Sequence, residues 1–151
     1  MIIKEVDKVE EAIECDKLLT KLINNEKKYN KNIKDNYIVN NYFENLYTKN
    51  NNILYIALEE NKIIGYIYVR IITSDNGPEI EHESLIDGLY VLEEYRNNGV
   101  ATSLIEKAKK WSISKGVKYI SLNALCKNDN ALSLYKKEGF NDFSLNLKCN
   151  L

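Results

Sequence analysis

The sequence is short of the residues that mark special-purpose chains. It has one proline, Pro78, and six glycines in 151 residues, which excludes collagen-like and Pro-rich linker classes. Its single histidine is His82, and its three cysteines, Cys15, Cys126 and Cys149, are widely spaced with no CxxC. An odd, unpatterned count is not a disulfide framework, and one histidine makes a zinc site a poor reading, so no metal is expected. The longest apolar run, Ile63 to Val69 with Gly65 inside it, covers seven residues, far below the ~20 that span a bilayer. The opening Met1-Ile2-Ile3-Lys4-Glu5-Val6-Asp7 lacks the apolar stretch of a signal peptide. A reduced, cytoplasmic location without a membrane partner is therefore expected. A formal net charge of −1 gives no bulk attraction to polyanions, and no basic aromatic face is present, so no nucleic-acid partner is expected.

What is there is a globular composition, 44% hydrophobic and 28% charged. The length suits one domain, residues 1–151, which at this size buries roughly 68–70% of its unfolded surface. Ile2 to Val6 reads as a strand. From Val9 to Ile23, Ala12, Cys15, Leu19 and Leu22 give one apolar helical face, with Cys15 in the core. Asn24 to Asn36 reads as a loop. Val39, Tyr42, Phe43, Leu46 and Tyr47 have the spacing of a second helix, ended by Asn50-Asn51-Asn52. The period then changes. Ile53 to Leu58 and Ile63 to Val69 are β-branched and aromatic runs that predict a hairpin around Glu59 to Lys62. Asp75-Asn76-Gly77-Pro78 predicts a turn. Ser84 to Val91 predicts a strand in which Gly88 marks a bulge or a close backbone approach. A helix from Gly99 to Lys115 is stopped by Gly116. A strand over Val117 to Leu122, a helix over Asn128 to Glu138 and a last strand over Phe140 to Leu147 complete the order β-α-α-β-β-β-α-β-α-β. The fold class is α/β (α+β), with a mixed sheet and no repeat.

The most informative segment is Leu85 to Ala101, where a strand runs through a short loop into a helix whose first turn lacks bulky polar side chains. Unpaired amides and the positive dipole end make such a turn an anion site. Gly99 and Ala101 permit close approach to the backbone, and Arg96 adds charge at the rim. The anion is not bound by a P-loop, since GxxxxGK(S/T) is missing, and no GxGxxG is present either. The pattern present is Arg96-x-x-Gly99-x-Ala101. It resembles the pyrophosphate-binding motif R/QxxGxG/A of the GNAT N-acetyltransferase superfamily. A second block, Asn128-Asp129-Asn130-Ala131-Leu132-Ser133-Leu134-Tyr135-Lys136-Lys137-Glu138-Gly139-Phe140, is similar to that family's NxxAxxLYxxxGF. The resemblance covers Leu85 to Phe140 clearly, and the element order suits the whole chain.

The resemblance implies a mostly antiparallel sheet splayed in the middle and flanked by helices. It implies acetyl-CoA as the acetyl donor and an amine as acceptor, with attack in a ternary complex. Pantetheine would pair with the backbone of Leu89, Tyr90 and Val91. Pyrophosphate would be held by Arg96, Asn97, Asn98, Gly99, Val100, Ala101 and Thr102. Asn128 would cap its helix and touch pantetheine, its amide being both donor and acceptor. Tyr135 matches the family tyrosine near the CoA sulfur, where a phenol can protonate the leaving thiolate; its alternative is a core tyrosine beside Ala131 and Leu134. Backbone amides beside Gly88 to Val91 would face the developing oxyanion.

The base is less determined by pattern. Asp87 stands where some aminoglycoside-type acetyltransferases carry an acid, and Glu83 and His82 are rivals on the same strand. Asn123 departs from the ribosomal-protein alanine acetyltransferases, which have a catalytic Glu twelve residues before the tyrosine. Glu93 replaces the family's proline two residues before Tyr95. Cys126 is read as an incidental thiol rather than an acetyl carrier. Between Arg70 and Arg96 there is no Lys or Arg, while Asp75, Glu79, Glu81, Glu83, Asp87, Glu93 and Glu94 are all acidic. A cleft of one sign concentrates the opposite charge, so a cationic small-molecule amine, aminoglycoside-like or polyamine-like, is the expected acceptor; a solvated acidic loop is the alternative. Lys107, Lys109, Lys110, Lys115 and Lys118 crowd the following helix, where some could meet the CoA 3′-phosphate. A protein amine as acceptor, a silent acyl-CoA sensor and a homodimer stay open at this stage.

Overall fold

The structure, a computed structural model, describes residues 1–74 and 81–151; the predicted turn at Asp75 to Pro78 lies outside the described residues. In chain order the elements are β1 (Ile2–Glu5), α1 (Val9–Glu26), β2 (Asn52–Glu59), β3 (Lys62–Ser74), β4 (Glu81–Val91), a 3-10 turn (Glu93–Tyr95), α2 (Val100–Ser114), β5 (Ile120–Leu122) and α3 (Asp129–Lys137). The sheet runs β1-β2-β3-β4-β5. The first four strands pair antiparallel, and β4 meets β5 in parallel.

The hairpin of β2 and β3 turns on Glu60 and Asn61, both with positive φ (47° and 65°), the backbone twist that suits a two-residue loop between right-twisted strands. From Tyr66 to Val69, β3 is apolar on both faces because both are covered. Tyr66 and Tyr68 join Ala12, Cys15, Leu18 and Phe43 on the α1 side. Ile67 and Val69 join Val100, Leu104, Ile105 and Ala108 on the α2 side. Cys15 is fully buried, and burial pushes its thiol far above the usual range, as its place in the apolar stripe of α1 predicts.

Two predicted elements are corrected. Residues 41–48 form turns, not a second helix. Asn41 starts the segment in the left-handed region, at φ 59°. The amides of Tyr42 and Phe43 donate to the two carboxylate oxygens of buried Asp16 at 3.1 and 3.0 Å. A single helical turn follows, in which Leu46 and Tyr47 both donate to the Phe43 carbonyl. The helical spacing is real, but a side chain of α1 takes the amides and the core takes only Phe43. The second correction is the last strand. Beyond Phe140 the chain has no regular structure, and every residue from Asn141 to Leu151 is exposed. The predicted strand Val117 to Leu122 shortens to Ile120–Leu122.

Candidate active site

The site is built where β4 changes its neighbours. β5 pairs only with Ser84, Leu85 and Ile86, so Asp87 to Val91 runs on without a β5 partner and the sheet opens there. Opposite, the β3–β4 register slips. Tyr68 faces Gly88 while Val69 faces Ile86, which leaves Asp87 as the extra residue of a bulge. Gly88 is needed for the second reason the sequence suggests as well. A Cβ there would lie 2.9 Å from the Tyr66 hydroxyl and 3.2 Å from its Cε2. Tyr66 is fully buried, its hydroxyl has no partner, and burial holds its phenol well above the usual value.

The open segment of β4 leads through the 3-10 turn into the loop Arg96 to Gly99. Asn97 and Gly99 both have positive φ, 62° and 77°, a sequence of turns that points successive amides outward. No side chain caps α2, and its first turn holds no acidic residue. The first intrahelical bond of that turn runs from the Ser103 amide to the Gly99 carbonyl at 3.0 Å. The amides of Val100, Ala101 and Thr102 are thus the usual uncapped donors of a helix start. A Cβ at Gly99 would meet nothing within 4 Å, so the loop has open space over it. The Thr102 hydroxyl is turned away, donating to Glu138 Oε1 at 2.7 Å. Arg96 is held in place: its Nε donates to the Val91 carbonyl at 2.9 Å, its Nη1 lies 3.4 Å from Glu93 Oε1, and its guanidinium lies over the Tyr90 ring. Leu89, Tyr90, Val91 and Arg96 to Thr102 therefore form one continuous strand–loop–helix surface. An open strand edge and a helix start with free amides fit an extended chain ending in a pyrophosphate, which is the shape of CoA. Asn98 is exposed on that loop.

On α3, Asn128 caps the helix, its Oδ1 accepting the Ala131 amide at 3.3 Å. Tyr135 packs against the α2-side core, with its ring edge-on to Phe140 at 5.9 Å. Burial pushes its phenol up to about 12, and the Glu26 carboxylate adds to the shift. The ordinary value near 10 expected of an unperturbed tyrosine is thereby replaced by one that keeps the proton on. Lys109 is bound to the Glu138 carbonyl and lies over the Phe140 ring, so it closes the α2–α3 contact.

Asp87 does not stand alone. Arg70 Nε donates to its Oδ2 at 2.9 Å. Its charge raises the phenols of Tyr42 and Tyr68, although burial is the larger cause for both. Tyr42, Phe43 and Tyr68 form an aromatic wall on this side, with ring centroids 5.0 to 6.2 Å apart. The other described acids of the Arg70–Arg96 interval show the same habit: Glu93 meets Arg96, and Glu94 meets Lys62. His82 lies against Thr73 Oγ1 at 3.2 Å, five residues from Asp87 and so about 16 Å along an extended strand. Glu83 is about 13 Å away by the same measure. Cys126 is exposed beyond β5.

Two residues of this region escape sequence reasoning. Tyr42 reads as a helix-face residue, and only the Asp16 contact turns it toward Arg70 and Asp87. Glu26 lies in a polar, Asn- and Lys-rich stretch. At the end of α1 it is half-buried, burial pushes its carboxyl up, and its charge reaches both Tyr66 and Tyr135. No pattern in the sequence singles it out. A groove of about 400 Å³ beside it is lined by Thr20, Lys21, Asn24, Asn25, Tyr90, Leu92, Glu93 and Glu94.

Residues 17–140 match the acetyltransferase (GNAT) family. An N-alpha-acetyltransferase of Saccharolobus solfataricus is 31% identical over 91 residues, which cover 57% of this chain and 54% of that protein. The chain spans about half the length of the curated relatives it matches. Among solved structures, the BH1408 protein from Bacillus halodurans superposes with a TM-score of 0.90 at 20% identity, covering 100% of this chain and 99% of that one. Aminoglycoside N-acetyltransferase AAC(6')-Iy in complex with CoA superposes with a TM-score of 0.75 at 18% identity, covering 99% and 98%. At these identities the superpositions show a shared fold. Among the described residues no helix is long and apolar enough to cross a membrane.

Proposed function

Since this chain belongs to the GNAT acetyltransferase family, we propose that it transfers the acetyl group of acetyl-CoA to a primary amine of a cationic small molecule. The observation that carries this reading is the opening of the sheet beyond Ile86, beside a helix start whose amides are uncapped. Bound acetyl-CoA supplies an activated acyl group as a thioester. The chain's residues do the rest. Backbone groups of Leu89, Tyr90 and Val91 hold the pantetheine arm, and the amides from Arg96 to Thr102 hold pyrophosphate. Asn128 offers its side-chain NH₂ while its oxygen caps α3. Amides beside Gly88 face the acyl oxygen as it gains charge.

Tyr135 is the proton donor to the departing sulfur. With its phenol near 12 it stays neutral and available as a donor throughout the working range. Full transfer to a free thiolate, whose reference value is about 8.5, would be uphill by roughly 3.5 units. The phenol therefore donates a hydrogen bond and passes its proton only as the C–S bond breaks. Asp87 orients the incoming ammonium in competition with Arg70, and the wall of Tyr42 and Tyr68 gives a cation a π-face to sit against. Glu26, with its raised carboxyl, is a candidate to accept the amine proton, since a base whose value has moved toward neutrality is better matched to that task.

The test is a thiol-release assay with acetyl-CoA and a panel of aminoglycosides, polyamines and N-terminal peptides. Turnover with the polycationic small molecules is expected. Turnover confined to peptides would replace the acceptor class, and CoA binding without turnover on any amine would leave a sensor in place of an enzyme.

A further inference from the structure

The C-terminal segment carries a pattern that the rest of the chain leaves unused. Phe143, Leu145, Leu147, Cys149 and Leu151 alternate with Ser144, Asn146, Lys148 and Asn150, so an extended conformation puts one apolar face on a strand. The segment has no proline or glycine, and Lys148 is the only one of the usual edge-blunting residues in it. Yet Phe143 is 99% exposed, Leu145 74% and Leu147 81%. The last residue held by the body is Phe140, whose amide donates to the Tyr135 carbonyl at 2.9 Å and whose ring packs on Tyr135.

The same chain holds the complementary feature. β5 ends the sheet, and among the described residues it pairs only with β4. Its other edge offers a row of strand amides and carbonyls, with Tyr119 beside it, 58% exposed. We propose that Phe143–Leu151 of one copy adds as a strand to the open edge of β5 in a second copy, and that the exchange is reciprocal. A second copy is the fitting occupant because donor strand and acceptor edge lie on one chain, so a two-fold arrangement meets both needs twice over. Main-chain bonds give the pairing and the alternate apolar side chains give it a face to bury. This inference does not depend on the acetyl-transfer reading.

The test uses the full chain. Light scattering after gel filtration at micromolar concentration should give twice the 17.5 kDa chain mass, and hydrogen exchange should show protected amides within residues 143–149. The double variant Leu145→Lys/Leu147→Lys changes exposed positions, so it should keep the wild-type far-UV spectrum while losing both the dimer and the protection. A monomeric wild type overturns the proposal; protected tail amides in that monomer would place the strand on its own β5. A dimer whose tail amides exchange freely, or which survives the double variant, overturns it equally.

Discussion

Replacing Gly88 by alanine tests how the bulge that sets Asp87 in place is held. The added methyl would fall 2.9 Å from the Tyr66 hydroxyl and 3.2 Å from its ring. That ring cannot simply retreat, because it is fully buried and packs edge-on to Phe43 at 5.4 Å. Overpacking of this kind costs about 1–3 kcal/mol. Alanine returns about 0.4–1 kcal/mol by restricting the unfolded chain, since the native φ here is not in the left-handed region. A net loss of about 1–2 kcal/mol follows from the two. Tyr66→Phe has the opposite sign, because it removes a buried hydroxyl that has no partner; a gain of about 1 kcal/mol is expected. In the double variant the 2.9 Å contact no longer exists and only the ring carbons must shift by a few tenths of an ångström. The cost of alanine should then fall to about half a kcal/mol or less, giving a coupling of about 1 kcal/mol. Urea unfolding of the four proteins, followed by far-UV circular dichroism, measures every term. A cost for Gly88→Ala that is the same with tyrosine and with phenylalanine at 66 would refute the packing argument.

Three further outcomes are expected. Tyr135→Phe should lower kcat by about a hundredfold while leaving acetyl-CoA affinity nearly intact; an unchanged kcat would remove the phenol from the donor role. Asp87→Asn should raise KM for a polycationic acceptor about tenfold, the worth of a hydrogen bond to a charge, whereas a fall in kcat concentrated at low pH would make Asp87 a base instead. Glu26 has a folded-state value above its unfolded one, so its contribution to stability is complete at low pH and is lost as pH rises through the folded value. Glu26→Gln should therefore raise Tm at pH 7 by more than at pH 4, read by differential scanning calorimetry; an equal change at both would contradict the burial of its charge.

Local chemistry made much of this fold legible. The Glu60-Asn61 turn, the α2 stripe ended by Gly116 and the Gly88 bulge each rest on signals lying within a few neighbouring residues. The anion loop was legible for the same reason, since a strand, a glycine and a helix start are contiguous in sequence. Residues 39–47 failed because their helical spacing competed with Asp16, a residue of a distant segment whose carboxylate claims the amides. The tail had a strand's period without a strand's partner, and periodicity cannot supply a neighbour. The grouping of Arg70, Tyr42 and Asp87, and that of Glu26 with Tyr135, arise only when the sheet and α1 are assembled.

Asp16 has one more consequence. Between α1 and β2 the chain is attached to the body through Phe43 in the core, through the two Asp16 oxygens, and through Thr20, whose Oγ1 accepts the Val39 amide. None of these attachments belongs to the sheet ladder. The stretch that carries Tyr42 and Phe43 is thus an exchangeable cassette. A lineage could rewrite its length and side chains, and with them the amine it admits, while the half that grips the donor stays as it is. The condition is that position 16 keeps a side chain with two acceptor oxygens.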